Sequence, residues 1–194
     1  MLRSMRFLTA ALLAIVCAPA TAAAQDTRPT VLLLDGLFIY VHQQYVGVSA
    51  LAGMLDRLGY RTLVDTHLMT RTANAAPDVI IGHSMGGSSA LKYAGEMVAA
   101  GKPAPVIITI DAAFGSPACP VPRCTNIRTP GFPDIVGAEN IDAWKAGAFM
   151  VNHAMLATNP AVQQMVLRQA EAILIERMPA TPPLSAPIPL PRPH

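Results

Sequence analysis

The chain has 194 residues, with 14 basic and 12 acidic side chains, a formal net charge of +2, and 52% apolar against 13% charged residues. That length and composition suit a single domain with one substantial core. The near-balanced charge, with no basic cluster, argues against a nucleic-acid-binding surface.

The first predicted element is a leader. Arg3 and Arg6 precede the apolar stretch Phe7 to Ala18, and small residues ending Ala22-Ala23-Ala24 stand before Gln25-Asp26. A charged start, an apolar run and a small-residue site read as a secretory signal at 1–24, cut after Ala24. An uncleaved anchor is the alternative, since the apolar run approaches spanning length. Cys17 does not suggest a lipoprotein, because Val16 is too large for the position before it. Loss of Arg3 and Arg6 would leave 12 basic against 12 acidic residues. The domain is then 25–178, exported to the periplasm or the exterior, with no stable membrane span after cleavage.

Val31 to Leu34 is a continuous apolar run, as in a strand buried on both faces, and it ends at Asp35-Gly36. Val46 to Leu58 carries a helical stripe (Val48, Leu51, Ala52, Leu55, Leu58) that Gly59 stops. Arg61 to Val64 reads as a short strand, and Asp78 to Ile81 as another leading into Gly82-His83-Ser84-Met85-Gly86-Gly87. Ser88 to Ala100 reads as a helix with Leu91, Ala94 and Val98 on one side, and Val106 to Ile110 as the next strand, ending at Asp111.

Gly115 to Pro133 reads as an irregular loop holding Cys119 and Cys124, the only cysteines beyond the leader. In an oxidising compartment a disulfide between them is expected. Reduced thiols or a metal pair are alternatives, the latter disfavoured because no second ligand pair is evident. Ala148 to Val151 is the predicted last strand. Thr158-Asn159-Pro160 opens a final helix with Val162, Met165, Val166, Ala170, Ile173 and Leu174 along its apolar side. Pro179 to His194 is too proline-dense for helix or sheet and reads as an extended tail at 179–194, solvated rather than a ligand for a partner. No internal repeat is present. Strand-helix alternation of this kind predicts an α/β domain, a mostly parallel sheet with helices on both faces and no long lid.

A serine at G-x-S-x-G between a strand and a helix is the pattern of a nucleophile elbow: glycines let the chain turn tightly, and the hydroxyl stands above the sheet. The alternatives are a glycine-rich turn with a helix-capping serine, or a phosphate loop, which lacks the Lys-Ser/Thr pair. In parallel sheets, loops after strands carry the site, and Asp35, Ser84, Asp111 and His153 all fall there. A serine hydroxyl needs a base, and the base an orienting acid. His153 is the candidate base. His83 should point away from the hydroxyl, and His42 and His67 break the serine-acid-histidine chain order. Asp111 is the candidate acid, with Asp134 and Asp142 as competitors. The Met85 and Leu37 amides are the candidate oxyanion hole. Phe38, Ile39, Tyr40, Phe114 and Met155 are candidates to line an acyl pocket, and each can equally be packing.

Asp35-Gly36-Leu37, Gly82 to Gly87, Val106 to Asp111 and Asn152-His153 with the helix behind it resemble the α/β-hydrolase superfamily, in particular its small secreted or periplasmic esterases and lipase-like members. The resemblance spans most of the chain beyond the leader. It implies Ser84 as nucleophile, Asp111 as acid, His153 as general base, no cofactor or metal, and a small-molecule or lipidic ester as substrate. Relatives often carry His-Gly where this chain has Asp35-Gly36, which puts an extra carboxylate near the site. Acyl transfer and amide hydrolysis use the same triad. A non-catalytic, hydrolase-like protein that keeps the cleft for a lipidic ligand is the alternative of another class.

Overall fold

Short runs of Val, Ile and Leu, cut by glycine and proline, build one parallel sheet. A computed structural model describes residues 26–37 and 47–177; the predicted leader, Phe38, Ile39, Tyr40 and His42, and the predicted tail lie outside the described residues. The strands are β1 (Thr30–Asp35), β2 (Arg61–Thr66), β3 (Val79–His83), β4 (Val106–Ile110), β5 (Cys124–Arg128) and β6 (Glu139–Asp142), in spatial order β2-β1-β3-β4-β5-β6. Every neighbouring pair is parallel. Leu33 stands beside Ile81 and Ile81 beside Ile108, so aliphatic rows cross the sheet and the strands' carboxyl ends share one edge.

The helices cover both faces. A 3-10 turn (Val48–Leu51) runs into α1 (Ala52–Leu58). Gly59, at φ 112°, ends it, with the Gly59 and Tyr60 amides donating to Asp56 and Leu55 carbonyls. Only glycine takes that φ without strain, which is why the helix stops there. The other helices are α2 (Met85–Ala99), α3 (His153–Leu156) and α4 (Pro160–Arg177). Val31, Leu33, Ile81 and Ile108 pack on Leu55 of α1 and Val162 and Val166 of α4, whereas Leu32, Leu34, Ile80 and Ile107 pack on Leu91, Ala94 and Met97 of α2. Alternation along each strand thus splits one sheet between two cores. Tyr60, fully buried, donates its hydroxyl to the Ala170 carbonyl (2.8 Å) and ties the α1 end to α4. Asn159 caps α4, its Oδ1 accepting from the Ala161 amide (3.0 Å), with Pro160 in the first turn. Among the described residues no helix is long and apolar enough to cross a membrane.

Two expectations are corrected. Ala148 to Val151 is not a strand. Gly147 and Met150 have φ of 106° and 59°, Phe149 and Met150 are exposed, and Trp144 Nε1 donates to the Val151 carbonyl (3.0 Å), so the run is a turn pinned by Trp144. The last strand among the described residues is β6, whose sequence Glu-Asn-Ile-Asp lies at the sheet edge and needs little apolar burial. Nor is 115–133 irregular throughout, because β5 runs inside it. That strand is polar: buried Asn126 accepts from Thr109 Oγ1 (2.8 Å) and donates to Asn140 Oδ1 (2.9 Å). The three residues are register partners across β4, β5 and β6, so a side-chain hydrogen-bond row joins this half of the sheet in addition to the apolar contacts of Ile110, Ile127 and Ile141. A smaller difference concerns α2, which begins at Met85 and turns Met97 inward while Val98 is exposed. Cys119 and Cys124 are joined, with sulfurs 2.30 Å apart.

Candidate active site

β3 delivers Ser84 to the start of α2 through a turn that only small residues permit. Ser84 takes φ 58° and ψ −123°, a strained conformation for a residue with a side chain. A Cβ on Gly82 would lie 2.4 Å from the Gly86 carbonyl oxygen, and one on Gly86 would lie 2.0 Å from that of Leu34. The chain can therefore fold back on itself and on β1 only with glycine at both places. The Ser84 amide donates to the Ile110 carbonyl (3.0 Å), and the Ser84 carbonyl accepts from the Ala113 amide (3.1 Å), which fastens the turn to the end of β4.

His153, the first residue of α3, reaches Ser84 from the loop beyond β6. Its Nε2 lies 3.0 Å from Ser84 Oγ and its Nδ1 3.1 Å from Asp111 Oδ2. A carboxylate only accepts, so Nδ1 carries the proton and Nε2 is left to accept from the serine hydroxyl. Asn152 starts α3 by accepting from the Met155 amide on its side chain (3.1 Å), which sets where His153 leaves the backbone. Asp111 is fully buried at the end of β4, with φ 44°. Its Oδ1 accepts from the Thr129 amide (2.6 Å), and both its oxygens from the Thr129 hydroxyl (3.1 and 2.9 Å). The carboxylate is thus held by donors on one side and presented to the imidazole on the other.

The other carboxylates are engaged elsewhere. Asp134 is exposed and pairs with Arg128 (2.5 Å); Asp142 Oδ1 accepts from the Trp144 and Lys145 amides. Asp35 is fully buried beneath the 3-10 turn, where Oδ1 accepts from the Ser49 amide (3.1 Å) and Oδ2 has no hydrogen-bond partner among the described residues. Burial pushes its carboxyl up, against the Ser49 and Val48 hydrogen bonds that pull it down. It makes no hydrogen bond to Ser84, His153 or Asp111. The carboxylate anticipated near the site therefore serves as a cap for the turn.

The Met85 amide stands at the N-terminus of α2 and has no hydrogen-bond acceptor among the described residues. The Gly36 backbone packs directly on Ser84: a Cβ there would lie 2.8 Å from Ser84 Cβ and 3.0 Å from the His83 carbonyl oxygen. Leu37 follows it, half exposed. Phe114 (71% exposed) and Met155 (45% exposed) flank the site on the loop after β4 and on α3; Phe38 lies outside the described residues.

Two contributors, Thr129 and the Phe132–Phe114 pair, have no signature in a motif. Thr129 holds Asp111, and only the existence of β5 could have placed it at a strand end. Phe132 stacks on the His153 ring at 4.4 Å and 11°, and Phe114 packs on Phe132 at 5.4 Å. His83 points away from the hydroxyl, and its Nε2 lies 3.0 Å from the His153 carbonyl oxygen, with the two rings 4.7 Å apart. His67 touches none of the triad; its amide donates to the Asp35 carbonyl (2.9 Å). Among the described residues no group of three or more His, Cys, Asp or Glu side chains converges as a metal would require. Compared with family models, curated proteins and solved structures, the chain matches none.

Proposed function

We propose that the protein is an exported serine hydrolase of the α/β-hydrolase type, cleaving a carboxylic ester or thioester through an acyl-enzyme on Ser84. The observation that carries this reading is the relay Ser84 Oγ–His153 Nε2, His153 Nδ1–Asp111 Oδ2, set on a strained strand-to-helix turn. A capping serine would need neither the imidazole nor the buried carboxylate behind it.

In the acylation step Ser84 Oγ attacks the substrate carbonyl carbon and His153 Nε2 takes the hydroxyl proton. The carbonyl electrons move onto oxygen, where the Met85 amide at the α2 N-terminus and the Leu37 amide stabilise the charge. The tetrahedral adduct collapses, the bond to the leaving oxygen or sulfur breaks, and His153 returns its proton to that atom. Water then attacks the acyl-enzyme by the same route, releasing the acid and restoring Ser84. Asp111 keeps the imidazole in the required tautomer and stabilises its transient positive charge. Acyl transfer would differ only in the acceptor that replaces water.

A fluorophosphonate probe should label Ser84 in the intact protein and fail to label Ser84→Ala, whose ester turnover should fall by about 10⁶-fold. Asp111→Asn should lose about 10⁴-fold in kcat, while Asp134→Asn and Asp142→Asn keep turnover close to the parent. Absence of labelling at Ser84 sinks the reading. Collapse in either of the latter two variants, with Asp111→Asn active, moves the acid elsewhere.

A further inference from the structure

The imidazole of His153 has unlike surroundings on its two sides. Towards the interior stands His83, 2% exposed, its ring tilted 35° to that of His153 and its Nε2 on the His153 carbonyl. Towards solvent, Phe132 lies nearly parallel to the imidazole, and Phe114, 71% exposed, continues outward from Phe132. The two phenylalanines belong to different loops, after β4 and after β5, yet form one aromatic path that begins on the base and ends in water. A lone exposed phenylalanine needs no explanation. One stacked through a second ring onto the imidazole carries an apolar surface from the chemistry out to water.

We propose that this path is the leaving-group subsite, and that the preferred substrates are esters of aryl-bearing or extended apolar alcohols. The inference rests on the serine-hydrolase reading above and adds which half of the substrate the aromatic path reads. In the acylation step the two halves are held by different groups. The acyl half is anchored by its carbonyl oxygen at the Met85 and Leu37 amides, at the start of α2 and the end of β1. The leaving oxygen must come within a hydrogen bond of His153 Nε2, because that nitrogen hands it the proton as the carbon–oxygen bond breaks. Its substituent therefore emerges at the imidazole edge, next to Phe132, and runs outward over Phe114. An aryl or alkyl alcohol covers those ring faces; a short one leaves them wet.

The test uses the full mature chain and two families of esters. Butyrates of ethanol and 3-phenylpropanol have alcohols of similar acidity and give the same butyryl-enzyme; ethyl acetate and ethyl octanoate vary only the acyl half. In the parent protein the 3-phenylpropyl ester should have the higher kcat/KM. Phe114→Ala, a substitution at an exposed side chain, should lower the 3-phenylpropyl-to-ethyl ratio by about 10-fold and leave the octanoate-to-acetate ratio where it was. The loss should fall on acylation, read from the burst, and not on the shared deacylation step. Inhibition by free 3-phenylpropanol should weaken in parallel. If Phe114→Ala instead changes the octanoate-to-acetate ratio, or leaves both ratios unchanged, the leaving-group assignment is overturned while the hydrolase reading stands. If the parent protein is not labelled at Ser84 and turns over no ester, both fall.

Discussion

Single side chains here act largely through His153. Thr129 fixes the carboxylate that orients it, Phe132 covers one face, and His83 holds its carbonyl. His83 is the one whose protonation has a visible cost. Burial, followed by the charge of the His153 imidazole, pushes it down to about 4 from an ordinary 6.5, against the smaller opposing effects of the His153 carbonyl and Asp111. The folded protein therefore keeps His83 neutral, with Nε2–H donating to His153. An unfolded chain takes up the proton near 6.5 and the folded one only near 4. Stability is thus full above the first value and falls as pH drops towards the second, by on the order of 3 kcal/mol in total. Urea unfolding of the parent and of His83→Gln, which keeps a donor for the carbonyl, should show the steeper acid loss in the parent. Equal slopes across that window would place the acid sensitivity in other groups.

At the level of elements, the site depends on how closely β1 and the turn after β3 approach each other. Gly36 and Gly86 are the points of approach, and each would drive a Cβ into backbone or into Ser84. Gly36→Ala should displace Ser84 from His153 and lower kcat/KM by about 100-fold with the fold retained by circular dichroism. Gly53→Ala is the matched control on α1, where the nearest atom to an added Cβ is Arg57 Nη1 at 3.6 Å. That substitution should raise stability by about 0.5–1 kcal/mol, because alanine loses less backbone entropy in a helix. Kinetics and thermal melts of the two variants decide it: a Gly36→Ala protein with parental kcat/KM would mean Ser84 is positioned without this contact.

For the molecule as a whole, the domain joins a charged and apolar leader pattern to a disulfide between Cys119 and Cys124. Such bonds persist in oxidising compartments, which is the basis for proposing export. Expressed with its own leader, the exported chain should begin at Gln25 by N-terminal sequencing. Its two remaining cysteines should react with a thiol reagent only after reduction. Recovery of the uncut chain in the membrane fraction would replace a cleaved signal with an anchor.

How much of this was legible in the sequence varied along the chain. β1, β3 and β4 are uninterrupted aliphatic runs because both faces of a central parallel strand are buried, so hydrophobicity alone marks them. Gly59, Asn159 and the glycines around Ser84 mark ends and turns through local backbone demands, which are also written locally. β5 and β6 were not legible, since each offers the core a single isoleucine (Ile127, Ile141) and Asn126 pairs with Thr109 and Asn140 across strands, and a hydrogen bond between distant residues leaves no periodicity. The same limit governs the site. Residue chemistry and chain order were enough to nominate Ser84, Asp111 and His153. That Asp111 faces His153, while Asp134 pairs with Arg128 and Asp35 caps a turn, was decided by tertiary structure alone. Which carboxylate meets which partner depends on how separate loops converge at one sheet edge.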